Sequence, residues 1–371
     1  MNTQTRSTEL PQTETPETDS AYDEAALLAL ARDLTISDEE QDRLAAIGSP
    51  AVREALAANP CLNEIQQRYL AATGSLEVKC KLAKNPSLVD ARQQMFAECG
   101  ISEIREALAE NRKLNPACQH LLMQDKEGLR NRLIYTLMPL ASNPALTKDL
   151  QQTLAASDER LVVASLAKNP SIPELLMEQL AACGDEGVCA GLASNPKLPE
   201  PMQAQLIASG YSKVLENIAR NPSLRVAQQA LLAHEGSVDV RLALLENRGL
   251  DAQIKEWVST SFTVSELSWA ERELDSAECR ATRLMNEHNE ALDKCIKAHG
   301  GFFPSSDEKI ERLNEAAELI QERIFEADGE IYRLTGKIRK LQELIKSQPA
   351  AKNGGSHAPS ASMSGLMSQT M

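Results

Sequence analysis

The segment VVASLAKNPSI at residues 162–172 decides the fold, because close copies of it recur along most of the chain. Eight copies carry an asparagine, at Asn59, Asn85, Asn111, Asn143, Asn169, Asn195, Asn221 and Asn247. Successive asparagines are 26 residues apart, except that Asn111 and Asn143 are 32 apart. A degenerate ninth copy fits upstream, where Leu30, Ala31 and Asp33 stand 26 residues before their counterparts. Self-similarity at one period predicts an array of stacked repeats.

Each repeat is predicted to form two short helices. The pattern V-x-x-x-L-A places apolar residues four positions apart and therefore on one helical face. Asn-Pro then ends this helix, because a residue before proline avoids the α conformation. We expect the asparagine to cap the helix behind it, with proline at that helix's first position; a row of ligand-binding asparagines is the alternative. Since no repeat can bury its apolar face alone, stacked neighbours are predicted to share one core.

Composition favours an all-α fold and excludes several classes of function. Only 3% of the 371 residues are aromatic, so the core must consist of Leu, Ile, Val and Ala, which suits helices. The net charge of −14 argues against a nucleic-acid binder and against an anionic membrane surface as partner. We expect no transmembrane segment and no signal peptide, because apolar runs are short and the N-terminal residues are polar.

The motifs give no reason to expect catalysis or a metal. The sequence has no phosphate-binding glycine loop and no HExxH pair, and its five histidines are dispersed. Cys61, Cys80, Cys99 and Cys118 are each 19 residues apart, but a 26-residue repeat gives them different phases. They are therefore interpreted as buried hydrophobes rather than metal ligands. The absence of a CxxC pair favours reduced thiols and a cytoplasmic protein, with no cofactor and no enzyme activity expected.

The pattern V-R-x-x-L-A-x-N-P, as in VREALAANP at residues 52–60, resembles the leucine-rich repeat variant, a bacterial helical-repeat family. The resemblance covers residues 26–258 and implies a right-handed superhelix of α-helices alternating with short, often 3₁₀, helices. The 26-residue period is slightly longer than the family's usual unit, so we expect a fuller, more HEAT-like second helix. The founding member has a cysteine-ligated iron–sulfur domain before its repeats. That cofactor is not carried over, because the first cysteine here is Cys61.

Residues 262–298 and 306–347 are each predicted to form one long helix, and together an antiparallel coiled-coil hairpin. In the second helix, apolar residues recur at alternating steps of three and four, which predicts a left-handed supercoil. They are Ile310, Leu313, Ala317, Ile320, Ile324, Ala327, Ile331, Leu334, Ile338, Leu341 and Ile345. The first helix follows this spacing from Val264, with interruptions at Glu271 and His288.

Four parts are therefore predicted along the chain. Residues 1–20 form a disordered acidic tail, and residues 21–260 form a right-handed α-solenoid of about nine repeats. The coiled-coil hairpin occupies residues 261–348, and a disordered tail rich in Ser, Gly and Met occupies residues 349–371.

Two candidate contact regions lie within the repeats. One repeat position carries basic residues, at Arg53, Lys79, Arg105 and Arg241. They form either a basic row for an acidic partner or phosphates, or a solvated face. The six-residue insertion before Asn143 carries Arg130, Arg132 and Tyr135, which are either a contact patch or part of a longer turn or helix.

Two further candidates lie in the hairpin. Phe302 and Phe303 stand at the predicted turn, where they either anchor a partner or fold back to plug the end of the coil. Phe325 and Tyr332 are one heptad apart and off the main seam. They pack either onto the solenoid or onto a second hairpin, and the second arrangement gives a four-helix homodimer.

The expected function is that of a non-catalytic, cytoplasmic scaffold or adaptor that binds one or more proteins. The solenoid would hold one partner by burial across an extended surface, and the hairpin would hold a second or dimerise. Two alternatives come from other classes. One is a nucleic-acid-associated helical-repeat protein with a local basic stripe; the other is a metal-binding protein or enzyme with a site assembled across repeats.

Overall fold

The structure is a computed structural model that describes residues 24–124, 130–300 and 307–348. Within these ranges the secondary structure consists of α-helices without a strand, which confirms the all-α prediction. The chain divides into two compact units, residues 1–180 and 181–371. The predicted tails at residues 1–20 and 349–371 lie outside the described ranges.

The first unit holds the helices α1 to α11 and most of α12. They are α1 (Glu24–Ala31), α2 (Asp38–Ile47), α3 (Pro50–Ala57), α4 (Glu64–Thr73), α5 (Leu76–Lys84), α6 (Asp90–Glu98), α7 (Ser102–Ala109), α8 (Pro116–Leu122), α9 (Arg130–Ser142), α10 (Lys148–Ala155), α11 (Arg160–Ala167) and α12 (Glu174–Ala182). First helices of successive repeats pack on one another in the order α1, α3, α5, α7, α9 and α11. Second helices α2, α4, α6 and α8 do the same, so the repeats form two helical layers here.

The core of the first unit is aliphatic because each first helix turns its Leu-Ala pair inward. Five such pairs are 0% exposed: Leu56 and Ala57, Leu82 and Ala83, Leu108 and Ala109, Leu140 and Ala141, and Leu166 and Ala167. Fully burying a leucine contributes about 1.5–3 kcal/mol, and alanine beside it lets neighbouring helices approach closely. This regular packing explains why a chain with so few aromatic residues builds a core.

The six-residue insertion lengthens one first helix. Helix α9 has 13 residues, whereas the first helices α3, α5, α7 and α11 have eight or nine. Residues 125–129 lie outside the described ranges. Thr136 stands where the other repeats have valine or isoleucine, and it is buried like them.

The second unit begins with three more helical pairs of the same kind. Its short helices are α13 (Glu186–Ala193), α14 (Glu200–Ala208), α15 (Ser212–Arg220), α16 (Val226–Glu235), α17 (Val238–Leu245) and α18 (Ala252–Thr260). Helices α13, α15 and α17 pack in series, and α16 packs on α18. The buried pairs Leu192–Ala193 and Ile218–Ala219 continue the pattern of the first unit.

Two long helices complete the second unit, α19 (Val264–Gly300) and α20 (Asp307–Ser347). They pack along each other and run antiparallel. Arg280 pairs with Glu330 at 2.7 Å, whereas the earlier residue Glu273 lies 3.7 Å from the later residue Lys337. Ala281, Leu284, Ile324 and Ala327 form a buried cluster in the seam.

The structure corrects the predicted seam of α19. Glu271 is exposed and does not interrupt the seam, because the buried residue at this level is Ala270. Val264, taken as the first seam residue, is also exposed. A heptad counted from Val264 places Glu271 in the seam. The buried seam residues are instead Ala270 and Ala277, which are seven residues apart.

Candidate functional site

The asparagines of the repeats form a buried ladder. Asn111 Nδ2 donates to the carbonyl oxygens of Ala83 at 2.9 Å and Asn85 at 2.7 Å, both in the preceding repeat. Its Oδ1 accepts from the backbone N–H of Lys113 at 2.9 Å. Asn59, Asn85, Asn143, Asn221 and Asn247 make the same three bonds within their own units. Each of these six asparagines therefore closes its own turn and ties it to the preceding repeat.

This geometry corrects the predicted role of the Asn-Pro step. Asn59 does not cap a helix, because α4 begins at Glu64 and has Asn63 as its N-cap. Pro60 likewise precedes α4, which begins at Glu64, so proline does not take the first helical position. All eight asparagines are buried, and both polar side-chain atoms of Asn111 form hydrogen bonds with backbone groups, so they are not available to a ligand.

A second ladder, of glutamines, was missed in the sequence. Gln93 Nε2 donates to the carbonyl oxygens of Leu88 at 2.9 Å and Lys113 at 3.2 Å, and its Oε1 accepts from Asn115 N–H at 2.8 Å. The same set of bonds is made by Gln41, Gln67, Gln119, Gln203 and Gln229. These residues follow the period of the asparagines, so the signal was present in the sequence. At these repeats the asparagine and glutamine side chains together supply hydrogen-bond partners to the buried backbone groups of the turns between helices.

The glutamine ladder is interrupted at two successive repeats, because Met177 stands where the next glutamine would be and Gln151 lacks one of the bonds. Gln151 Nε2 donates to Leu146 O and Ser171 Oγ, both at 3.1 Å, but its buried Oε1 has no hydrogen-bond partner among the residues that the structure describes. The position that supplies the donor in other repeats, 22 residues onward, is Pro173, which has no N–H. Proline thus removes one hydrogen bond between adjacent turns.

This defect predicts unequal effects of one substitution at two sites. Gln93→Leu should destabilise the fold by about 2–4 kcal/mol, because it strands two carbonyls and one N–H in the interior. Gln151→Leu should cost at least about 1 kcal/mol less, since it leaves no N–H stranded and removes an oxygen that is already unpaired. Urea denaturation followed by circular dichroism measures both; equal losses would contradict the assigned bonds.

The basic residues that share one repeat position do not form an open basic row. Arg105 is buried and donates to the carbonyls of Leu121, Leu122 and Gln124, so it caps the end of α8. Arg241 contacts Ser261 and pairs with Glu266. These two guanidinium groups are engaged within the protein, which weakens the case for a phosphate-binding stripe.

The cysteines differ in exposure. Of the four cysteines that were predicted to be buried, Cys118 is buried, Cys80 and Cys99 are partly buried, and Cys61 is exposed, so the prediction is wrong for Cys61. Among the described residues no three His, Cys, Asp or Glu side chains lie together as metal ligands would. Burial raises the pKa of the Cys118 thiol.

Thiol reactivity should follow this order. Iodoacetamide at pH 7.5 is expected to modify Cys61, Cys183 and Cys279 first, because these cysteines are exposed. Cys118 and Cys189 should react at least about 10-fold more slowly, since burial blocks access and raises both pKa values. Mass spectrometry of time points resolves the sites, and a Cys118 rate equal to that of Cys61 would show that α8 opens readily.

The predicted contact residues are exposed where the structure describes them. Tyr135 stands out from α9, but nothing is described of the side chains of Arg130 and Arg132 in the first turn of that helix. Phe325 is 80% exposed and Tyr332 is 84% exposed, and both belong to α20. Phe302 and Phe303 lie outside the described residues.

An apolar groove lies between two second helices of the first unit. It has a volume of about 510 Å³ and is lined by Asp42 and Ala46 of α2 and by Ile65, Gln66, Arg68, Tyr69 and Ala72 of α4. Ile65 is 64% exposed, and the ring of Tyr69 is also open to solvent. Gln66 donates to Asp42, which places polar groups beside the apolar floor. This apolar groove offers burial to a side chain from outside.

A polar cluster joins the long helices to the last repeats within the second unit. The Lys337 side chain is only 5% exposed, and its Nζ lies 3.0 Å from Asp239 Oδ1 of α17 and 3.7 Å from Glu273 Oε2 of α19. The ammonium also stands 5.3 Å from the centroid of the Trp269 ring, within the range of a cation–π contact. Lys337 therefore holds three helices together.

A more exposed ion-pair group lies one turn further along α20. Glu246 accepts from Lys340 and, at 2.7 Å, from Arg220. Burial alone would raise the pKa of Glu246, but these hydrogen bonds outweigh it and hold that pKa below its usual value. The stabilisation that Glu246 gains from Lys340 and Arg220 is therefore present near neutral pH and is lost as the pH falls through the lowered pKa of Glu246.

Comparison with known proteins adds no relative. No protein-family model, curated protein or solved structure matches this chain. Among the described residues, no helix combines the length and the apolar character needed to cross a membrane.

Proposed function

We propose that the chain is a non-catalytic protein-binding scaffold of the cytoplasm. The repeats form a right-handed α-solenoid of the leucine-rich repeat variant type, and the long helices form a coiled-coil hairpin. The solenoid holds one protein partner, and the hairpin holds a second or another copy of the chain. The absence of a CxxC pair from the sequence supports a reducing compartment.

The apolar groove between α2 and α4 carries this proposal. Ile65 and Tyr69 are large apolar side chains exposed side by side above a hollow of about 510 Å³, an arrangement that folding alone does not require. Tyr69 has the apolar body and polar tip that protein interfaces favour. Asp42 and Arg68 at the margin supply both signs of charge for orienting a partner. A partner helix or strand that inserts an apolar residue fits this surface.

The test is affinity purification from native lysate with quantitative mass spectrometry. The full chain is compared with an Ile65→Ser/Tyr69→Ser variant and with Leu175→Ser as the matched control. Leu175 stands six residues after Asn169, as Ile65 stands six after Asn59, and it is 66% exposed but lies outside the groove. We expect one protein to be enriched by the full chain and by Leu175→Ser, and to be lost with the groove variant.

Two results would count against the scaffold. Equal enrichment by the groove variant would remove the groove as the site. Recovery of nucleic acid alone, released by moderate salt, would instead favour the nucleic-acid alternative. Circular dichroism of each variant verifies that the substitutions leave the helices intact.

A further inference from the structure

Helix α20 carries a second stripe on a face away from its seam with α19. The stripe repeats at alternating steps of three and four and consists of Glu322, Phe325, Gly329, Tyr332, Gly336 and Arg339. We call this set the outer stripe. Its positions are separate from the seam residues Ile324, Ala327 and Leu334 and from Lys337 and Lys340, which pair with the last repeats.

No described part of the chain covers the outer stripe. Phe325 and Tyr332 are the most exposed large hydrophobic side chains of the described residues, at 80% and 84%. A methyl group built onto Gly329 or Gly336 would meet no atom within 4 Å. Two aromatic rings and two bare stretches of backbone thus alternate along one open helical face.

The spacing of the stripe indicates what kind of surface would cover it. Steps of three and four keep a stripe facing a second α-helix along its whole length. Glycine leaves a hollow in which a ring from the facing helix can lie against the backbone. The covering element is therefore a helix with bulky residues where α20 has glycine, and with small residues where α20 has an aromatic ring.

Helix α20 itself meets this requirement when a second copy runs antiparallel to it. With a twofold axis between Gly329 and Tyr332, each Phe325 faces Gly336 of the second copy and each Tyr332 faces Gly329. In the same register Glu322 faces Arg339, so every charge at the ends of the stripe meets its opposite. A parallel pairing would place each aromatic ring opposite the same ring of the second copy, where there is no room for both. It would also place Glu322 opposite Glu322 and Arg339 opposite Arg339, and these like charges repel each other.

The register also limits the length of the contact. The next position outward on each side places Glu318 opposite Glu343, which are like charges. The paired segment thus extends from Glu322 to Arg339, roughly 26 Å at 1.5 Å per residue. Five helical turns on each copy, with four rings buried per dimer, give a contact typical of a small helical bundle.

We propose that the chain forms an antiparallel homodimer through the outer stripe, in which the two α20 helices pack on each other and each α19 lies on the far side of its own α20. This inference rests on the proposed role of the hairpin as a binding element and does not depend on what the groove between α2 and α4 binds.

The test is the mass of the purified full chain in solution, measured by sedimentation velocity and light scattering from 1 to 100 μM. We expect twice the chain mass of 40.5 kDa. Gly329→Leu is the decisive variant, because a side chain there enters open space in the single chain but fills the hollow for Tyr332 of the second copy. It should weaken dimerisation roughly 30-fold or more while leaving helicity unchanged or higher. Leu319→Glu, at an exposed position of α20 outside the stripe, is the control and should remain dimeric.

A charge exchange tests the direction of pairing. Glu322→Arg and Arg339→Glu should each weaken the dimer, because each variant sets like charges opposite one another. The double variant should restore the dimer, as only an antiparallel pair of identical stripes would. A monomer at 100 μM, a dimeric Gly329→Leu variant, or a double variant weaker than both single ones would each overturn the proposal. A monomer that still captures its partner through the groove would overturn the dimer alone, whereas a dimer that captures none would count only against the proposed function.

Discussion

Asn111→Ala should destabilise the first unit by about 3–5 kcal/mol. The side chain is fully buried and makes three hydrogen bonds, so its removal leaves the carbonyls of Ala83 and Asn85 and the N–H of Lys113 without partners. Each stranded group costs about 1–3 kcal/mol, and the loss falls on the junction between two repeats. Because repeat arrays are stabilised by nearest-neighbour contacts, unfolding should begin at this junction. Urea denaturation gives the free energy, and hydrogen exchange identifies the repeats that open first.

Asn115→Ala, four residues onward in the same repeat, is the matched control. Asn115 Oδ1 accepts only from Ala117 N–H as the N-cap of α8, so its loss should cost about 1 kcal/mol. Similar urea midpoints for the two variants would mean that the asparagine ladder adds no more than an ordinary cap.

The isosteric variant Asn111→Asp separates the donor from the acceptor. The carboxylate keeps the oxygen that accepts from Lys113 but replaces the amide that donates to Ala83 and Asn85. At pH 7 it buries a charge against two carbonyl oxygens, so it should be at least as unstable as Asn111→Ala. This environment raises the pKa of the new carboxyl in the folded state, so the variant should regain stability as the pH falls and lose it as the pH rises. A flat pH dependence relative to the unsubstituted chain would contradict the assigned carbonyl partners.

Most of the helical architecture could be predicted because its information is local. The 26-residue period and the Leu-Ala pairs locate the first helices, and the heptads place α19 and α20 within two residues of their observed bounds. The role of the asparagines was only half predicted. The Oδ1 atom of Asn85 closes a turn, as a local rule suggests, but its Nδ2 reaches carbonyls 26 and 28 residues earlier. Which carbonyl oxygens lie next to Nδ2 depends on how the repeats stack, and rules about neighbouring residues in the sequence do not predict that stacking.

The contact surfaces were harder to predict than the helices. The exposure of Phe325 and Tyr332 could be inferred from their heptad positions, because these are determined by the seam. The groove at Ile65 and Tyr69 could not, since exposed apolar residues on a second helix resemble buried ones in the sequence. Lys337 gave no signal at all, because lysine beside a seam is ordinarily solvated and its partners come from two other helices.

Lys337→Met should destabilise the second unit by about 2 kcal/mol and loosen the contacts of α20 with α17 and α19. Breaking a buried ion pair from one side commonly costs 3–5 kcal/mol, because the partner's charge stays behind. The value here is smaller because Asp239 and Glu273 remain about one third exposed, and water can solvate them. Methionine preserves the length of the side chain, so the loss reports the charge and its contact with Trp269 rather than a cavity.

Lys340→Met is the control for this prediction, since Lys340 is 48% exposed and pairs with Glu246 at the surface. It should cost no more than about 1 kcal/mol. A double-mutant cycle of Lys337→Met with Asp239→Asn should give a coupling energy of about 1–2 kcal/mol. Each single variant leaves the other residue's charge without its partner, whereas the double variant removes both charges. Hydrogen exchange should rise in α20 near Lys337 for Lys337→Met and remain unchanged for Lys340→Met. If both lysine variants gave equal small losses and zero coupling, Lys337 would contribute nothing to stability. The attachment of α20 to the last repeats would then depend on apolar contacts such as those around Phe262 and Leu341.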